Sequence, residues 1–321
     1  MTPLCAEDVH RARERVRGFL PPTPLRPAFA LRASAGLVKL ECWQPTGSFK
    51  VRGAIAALTS LSADERVRGV VAASAGNHAL GVAFAARALR GLVPAILVVP
   101  ESAPRAKLDK LGSFPVELRV TGVDYDEAFA AARQLADARG AVLVHAYDDP
   151  IVAAGQGTVG LEILEQQPDV GAILVPVGGG GLLAGTAVAV KASRPDVRIV
   201  GVQPEASPAL RESIGLGLPL LKYAARPTLA DGQAGGIGQL VFDLRHLIDD
   251  VVTVTEDEIE AAIAALASQD QIIAEASGAV GVAALLAGRI AAGHSRPAVA
   301  IVTGANIDAA VLARILSRGT R

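Results

Sequence analysis

The chain has 321 residues, 51% of them apolar and 3% aromatic, with 31 Lys and Arg against 32 Asp and Glu for a net charge of −1. The apolar share excludes a disordered chain, and the length fits one large domain or two ordinary ones. Balanced charge gives no electrostatic footprint for nucleic acid or an anionic membrane, and two cysteines, Cys5 and Cys42, imply no disulfide framework and fit a reducing cytoplasm.

The first twenty residues are charged and helical in pattern, without the apolar centre of a signal peptide. No uncharged run approaches the roughly eighteen apolar residues of a membrane span. Further on, short β-branched runs alternate with longer alanine-rich helical stretches, the pattern of βαβ units on parallel sheet. Strands are predicted at Gly69–Ala73, Ala95–Val99, Val116–Val120 and Ala141–Val144, with helices at Ala79–Leu89 and Tyr125–Ala138 between them. A second set follows at Ala172–Val175, Arg198–Val202, Val251–Thr255 and Ala298–Val302. Thr255 and Glu258 form a capping box ahead of an apolar-periodic helix that runs to Ser268. The irregular stretch Pro204–Gly238 carries Ala230-Asp231-Gly232 and reads as loops around a site. Two sets of strands predict two α/β lobes, with a cleft where strand C-terminal ends face each other.

Four segments carry residue types suited to chemistry, each at a strand end or helix start. In Thr46-Gly47-Ser48-Phe49-Lys50-Val51-Arg52-Gly53-Ala54 the lysine has apolar neighbours, and desolvation would make it a competent amine nucleophile or base. An ordinary exposed lysine is the plainer reading of that stretch alone, but the chain has only five others: Lys39, Lys107, Lys110, Lys191 and Lys222. Ser74-Ala75-Gly76-Asn77-His78 is a small-residue turn whose backbone N–H groups suit a carboxylate or phosphate. Gly178-Gly179-Gly180-Gly181-Leu182-Leu183-Ala184-Gly185 costs backbone entropy, so something must approach the backbone closely, a phosphate above all. Residues 179–184 also satisfy the dinucleotide pattern Gly-x-Gly-x-x-Ala, although Gln203 stands where that pattern expects an acid. Thr303-Gly304-Ala305-Asn306 closes the set with a hydroxyl at a strand end, where a simple helix cap is the bland alternative. A lysine, an anion turn, a phosphate cradle and a hydroxyl together suit pyridoxal 5'-phosphate held as a Schiff base.

Taken in order with Thr23-Pro24-Leu25, Lys39-Leu40-Glu41, Gly155-Gln156-Gly157-Thr158 and Ser277-Gly278-Ala279, these segments resemble the threonine/serine dehydratase and serine racemase group of fold-type II pyridoxal-phosphate enzymes, over nearly the whole chain. The resemblance implies a tryptophan synthase β-like α/β fold, two open twisted sheets with helices on both faces. It implies a large cofactor domain of residues 1–60 and 147–321 and a small inserted domain of residues 61–146, usually in a homodimer. Lys50 would carry the cofactor and act as base on the substrate α-carbon. Phe49 would pack on the cofactor ring, Asn77 would bond its 3-hydroxyl, and Gly178, Gly179, Gly180, Gly181 and the Leu182 backbone would hold its phosphate. Thr303 would meet the pyridine nitrogen. Ser74, Ala75, Gly76, Asn77 and His78 would bind the substrate carboxylate, with Asp231, Gly232 and Glu275 lining the site. The length leaves no room for a C-terminal regulatory domain.

Three departures from the group's pattern matter. The racemases carry a second serine before Gly-Asn-His, and this chain has Ala75. Gln203 and Ala209 stand where the racemases' divalent-cation site has carboxylates, so no metal site is expected. The partner of the ring nitrogen is more often serine than threonine. The expected activity is β-elimination of water from L-threonine or L-serine, giving a 2-oxo acid and ammonia. The alternatives are a serine or aspartate racemase, a hydroxyaspartate dehydratase and, more remotely, a dinucleotide enzyme or an inactive ligand-binding protein.

Overall fold

A computed structural model describes residues 4–34, 36–103, 105–290 and 296–318. Among the described residues there are ten strands: β1 (Leu25–Pro27), β2 (Leu37–Lys39), β3 (Val70–Ala73), β4 (Ala95–Val99), β5 (Glu117–Val120), β6 (Val142–Leu143), β7 (Ala172–Pro176), β8 (Arg198–Pro204), β9 (Asp250–Val254) and β10 (Ala298–Ile301). The chain forms two compact units, Met1–Pro21 with Lys50–Gln156 and Pro22–Phe49 with Gly157–Arg321.

The first unit holds a four-stranded parallel sheet in the order β5-β4-β3-β6. β3 and β4 are buried along their whole length, as apolar parallel strands are when helices cover both faces. Val71, Ala73, Ile96 and Val98 pack against Ala128, Ala132 and Ala136 of the helix Tyr125–Arg139. Helices Lys50–Ser60 and Asn77–Ala88 pack on each other, and small residues set how closely. A Cβ on Gly81 would lie 3.0 Å from the Lys50 carbonyl oxygen.

All four strands of this sheet fall within 61–146, the stretch expected as an inserted domain, yet the compact unit is wider. Helix Lys50–Ser60 belongs with it through Asn77–Ala88, and so does the start of helix Pro150–Gln166. There a Cβ on Gly155 would sit 2.7 Å from Gly53 Cα.

The second unit holds six strands, β1-β2-β10-β7-β8-β9, parallel except for β1 against β2. Its core gathers around helix Ala276–Leu286, which lies on β7 to β10 and is buried except at its end. The expected capping box is formed at helix Glu256–Asp270: Thr255 Oγ1 accepts from Glu258 N–H at 3.2 Å, and Glu258 Oε2 accepts from Thr255 N–H at 2.9 Å. Sequence periodicity anticipated four of these six strands. β1 and β2 have three residues each, too few to show a period of two. Among the described residues no helix is long and apolar enough to cross a membrane.

Candidate active site

In the first unit, Lys50 opens its helix and donates from Nζ to the Ala146 carbonyl at 2.8 Å, partly buried. The turn Ser74–His78 leaves β3, the strand beside β6, so both lie at strand C-terminal ends. Ser74 Oγ accepts from Gly76 N–H at 3.1 Å, and no side chain caps the helix that begins at Asn77. Backbone N–H groups at that uncapped helix start are suited to an anion.

His78 is wholly buried and pairs through Nε2 with the Val144 carbonyl at 3.0 Å. A carbonyl only accepts, so Nε2 carries the proton. Burial, with the charge of Lys50 as a smaller cause, pushes the His78 pKa down to about 3. Nδ1 is therefore a bare lone pair, buried and without a hydrogen-bond partner. The ring has no donor to offer a carboxylate, so any carboxylate binding by His78 falls to its backbone.

The second unit contributes the glycine loop and Thr303, which follow the adjacent parallel strands β7 and β10. Gly180 has φ +92°, and a Cβ there would overlap the Val241 side chain. A Cβ on Gly178 would lie 2.6 Å from the Gly232 carbonyl oxygen. Helix Gly181–Lys191 then starts without a side-chain cap, so its positive end is left to backbone N–H groups. Gly232 N–H donates to Ser277 Oγ at 3.1 Å, and Thr303 Oγ1 reaches the Ser277 carbonyl at 3.4 Å. Glu275 N–H donates to the Gly304 carbonyl at 2.9 Å, and only glycine at 304 leaves room for the Glu275 carboxylate. Asp231 is exposed beside Gly232, whose N–H it accepts at 2.8 Å.

The segment leading to Lys50 is laced to the Thr303 loop. Phe49, half-buried, donates its N–H to the Thr303 carbonyl at 3.1 Å, Ala305 N–H donates to the Gly47 carbonyl at 2.8 Å, and Asn306 Nδ2 donates to the Thr46 carbonyl at 2.9 Å. Gly47, at φ +73°, has no Cβ to collide with the Asn306 carboxamide. Thr303–Asn306 offers a hydroxyl and a possible cap in the sequence, but the clamp leaves no residue signature there because most of its partners are backbone.

Lys39 is fully buried, but its ammonium is bonded to the Thr23 carbonyl, Glu162 Oε2 and Gln166 Oε1 at 2.6–2.8 Å, which spends all three donors. Lys191 is paired with Asp249 at 2.7 Å, and Lys222 is exposed. Gln203, where a dinucleotide site wants an acid and a cation site a carboxylate, is buried. Its Oε1 accepts from the Leu210 and Arg211 N–H groups at 3.1 and 3.2 Å, and its Nε2 reaches the Val177 carbonyl at 3.4 Å.

These residues fit pyridoxal phosphate. The Lys50 amine could take the aldehyde, the uncapped helix start after the glycine loop could take the phosphate, and the Thr303 hydroxyl could meet the ring nitrogen.

Residues 16–304 match the family described as pyridoxal-phosphate dependent enzyme. Over 98% of its length the chain is 42% identical to the L-threonine ammonia-lyase of Thermotoga maritima, of which it covers 79%. Among solved structures it resembles the processed form of threonine deaminase isoform 2 from Solanum lycopersicum, with TM-score 0.90, 34% identity, and 97% of this chain and 87% of that one covered. Maize serine racemase gives TM-score 0.89 and 31% identity, with 99% and 98% covered. The chain belongs to the pyridoxal-phosphate dependent enzymes and has the fold-type II architecture.

Proposed function

We propose that the chain eliminates water from L-threonine or L-serine, releasing a 2-oxo acid and ammonia. The observation that carries this reading is Lys50: it opens its helix at the strand C-terminal ends, and its partly buried amine donates to the Ala146 carbonyl, whereas the ammonium of Lys39 is bonded to the Thr23 carbonyl, Glu162 and Gln166. The likeness to an L-threonine ammonia-lyase along 98% of the chain supports the reaction class.

Pyridoxal phosphate, when bound, supplies an electron sink for the charge that develops at the substrate α-carbon. Lys50 would carry the group and take the α-proton at Nζ. Phe49 would pack on its ring and Asn77 would bond its 3-hydroxyl. Gly178–Gly181 and the Leu182 N–H would hold the phosphate. Thr303 would meet the ring nitrogen with a neutral hydroxyl, a partner that does not require that nitrogen to be charged. Ser74, Ala75, Gly76, Asn77 and the His78 N–H would seat the carboxylate, with Asp231, Gly232 and Glu275 around them.

Racemisation needs a second proton carrier on the face opposite Lys50. The likeness to maize serine racemase favours that second reading. Ala75 opposes it, because a methyl group has no proton to return. Elimination requires one base and leaves no stereocentre to rebuild. A homodimer in the cytoplasm completes the proposal. Purified protein given a panel of β-hydroxy amino acids should release 2-oxo acid from L-threonine or L-serine. Substantial D-serine with no 2-oxo acid would replace this reading with the racemase.

A further inference from the structure

Of the three consecutive residues after β6, the first and third bond to the histidine and the lysine of the first unit. The Val144 carbonyl accepts from His78 Nε2 at 3.0 Å, and the Ala146 carbonyl accepts from Lys50 Nζ at 2.8 Å. Between them, His145 turns its ring back on the chain. Its Nδ1 accepts the N–H of Asp148 at 2.9 Å and of Tyr147 at 3.3 Å. A nitrogen that accepts two N–H groups holds no proton, so the ring is neutral with its proton on Nε2. Burial lowers the His145 pKa, which keeps the ring in this state. Edge-on packing against Phe129 and Tyr147, at ring-centre distances of 5.0 and 4.6 Å, fixes its orientation.

The Tyr147 N–H and the Ala146 C=O belong to one planar trans peptide and point in opposite directions. When His145 Nδ1 holds the N–H end, it sets where the carbonyl end points. We propose that His145 is a positioning residue for Lys50, aiming the Ala146 carbonyl at the amine so that the amine is held in place whenever it is free of the cofactor. The functional consequence rests on the reading that Lys50 carries the cofactor; the geometry does not.

The full-length, cofactor-free chain can be labelled with trinitrobenzenesulfonate across a pH range, with Lys50 and the exposed Lys222 followed by peptide mapping. A hydrogen bond to the carbonyl favours the ammonium form of Lys50. In His145→Phe, which keeps a ring but loses the acceptor, the labelling midpoint of Lys50 should fall by about half a pH unit or more, while that of Lys222 stays. His145→Asn keeps an oxygen that accepts from the same turn and should keep the midpoint of the unsubstituted chain. The proposal is overturned if the Phe variant keeps the original midpoint, or if the Asn variant shifts as far as the Phe variant. Should the Phe variant not fold, His145→Leu, which also lacks the acceptor, takes its place: a lowered midpoint supports the proposal and an unchanged one defeats it. A cofactor label found on another lysine would remove the role of Lys50 without touching these midpoints.

Discussion

Gly180→Ala is the smallest change that tests the phosphate cradle. At φ +92° an L-residue is costly by about 1–2 kcal/mol. The new Cβ also overlaps the Val241 side chain, and overpacking of that kind costs about 1–3 kcal/mol. The cofactor-free chain can relieve both by letting the loop shift, so binding must restore the strained position. A total of about 2–5 kcal/mol then appears as lost cofactor affinity, and even its lower bound is roughly thirtyfold. Spectrophotometric titration of the cofactor-free variant with pyridoxal phosphate measures it. The double variant Gly180→Ala, Val241→Ala should recover the packing share but not the backbone share, since truncating Val241 makes room without changing φ. Undiminished affinity in Gly180→Ala would refute the assignment of the glycine loop to the phosphate.

Other outcomes follow from the same geometry. Ala75→Ser should gain measurable D-serine formation, and no gain would mean that residue 75 does not face the α-carbon. Activity should survive chelation, because the Gln203 carboxamide already fills its place with peptide hydrogen bonds; strong inactivation reversed by magnesium or calcium would contradict this. His78 is buried neutral with its pKa near 3 against an ordinary 6.5, so the unfolded chain binds the extra proton and stability falls as pH drops from about 6.5 toward 3. His78→Gln cannot titrate and should flatten that acid loss in denaturant titrations, and an unchanged pH slope would show that His78 is not its source.

Strands with a strong apolar run, such as Ala95–Val99, were legible to the residue, because full burial on both faces leaves an unbroken β-branched signature. The need for glycine at 178 and 180 was legible as four consecutive glycines, and the structure gives its reason in the Gly232 carbonyl and the Val241 side chain that a Cβ would strike. β1 and β2 were not, since three residues carry no period. The edges of the first unit were also hidden: they depend on Gly81 meeting the Lys50 backbone and Gly155 meeting Gly53, a matter of helix packing rather than of strand order. The neutral acceptor state of His78 follows from one carbonyl, Val144, that no side-chain pattern announces. The same holds for Ala146 and Lys50, where the decisive partner is backbone.

The account stands most directly on which lysine bears the cofactor. Borohydride reduction of the enzyme loaded with pyridoxal phosphate, followed by digestion and peptide mapping, locates it in one step. The pyridoxyl group should be found on Lys50, in the peptide containing Ser48-Phe49-Lys50. Recovery of the label on Lys39 or Lys191, with Lys50 unmodified, would contradict the account.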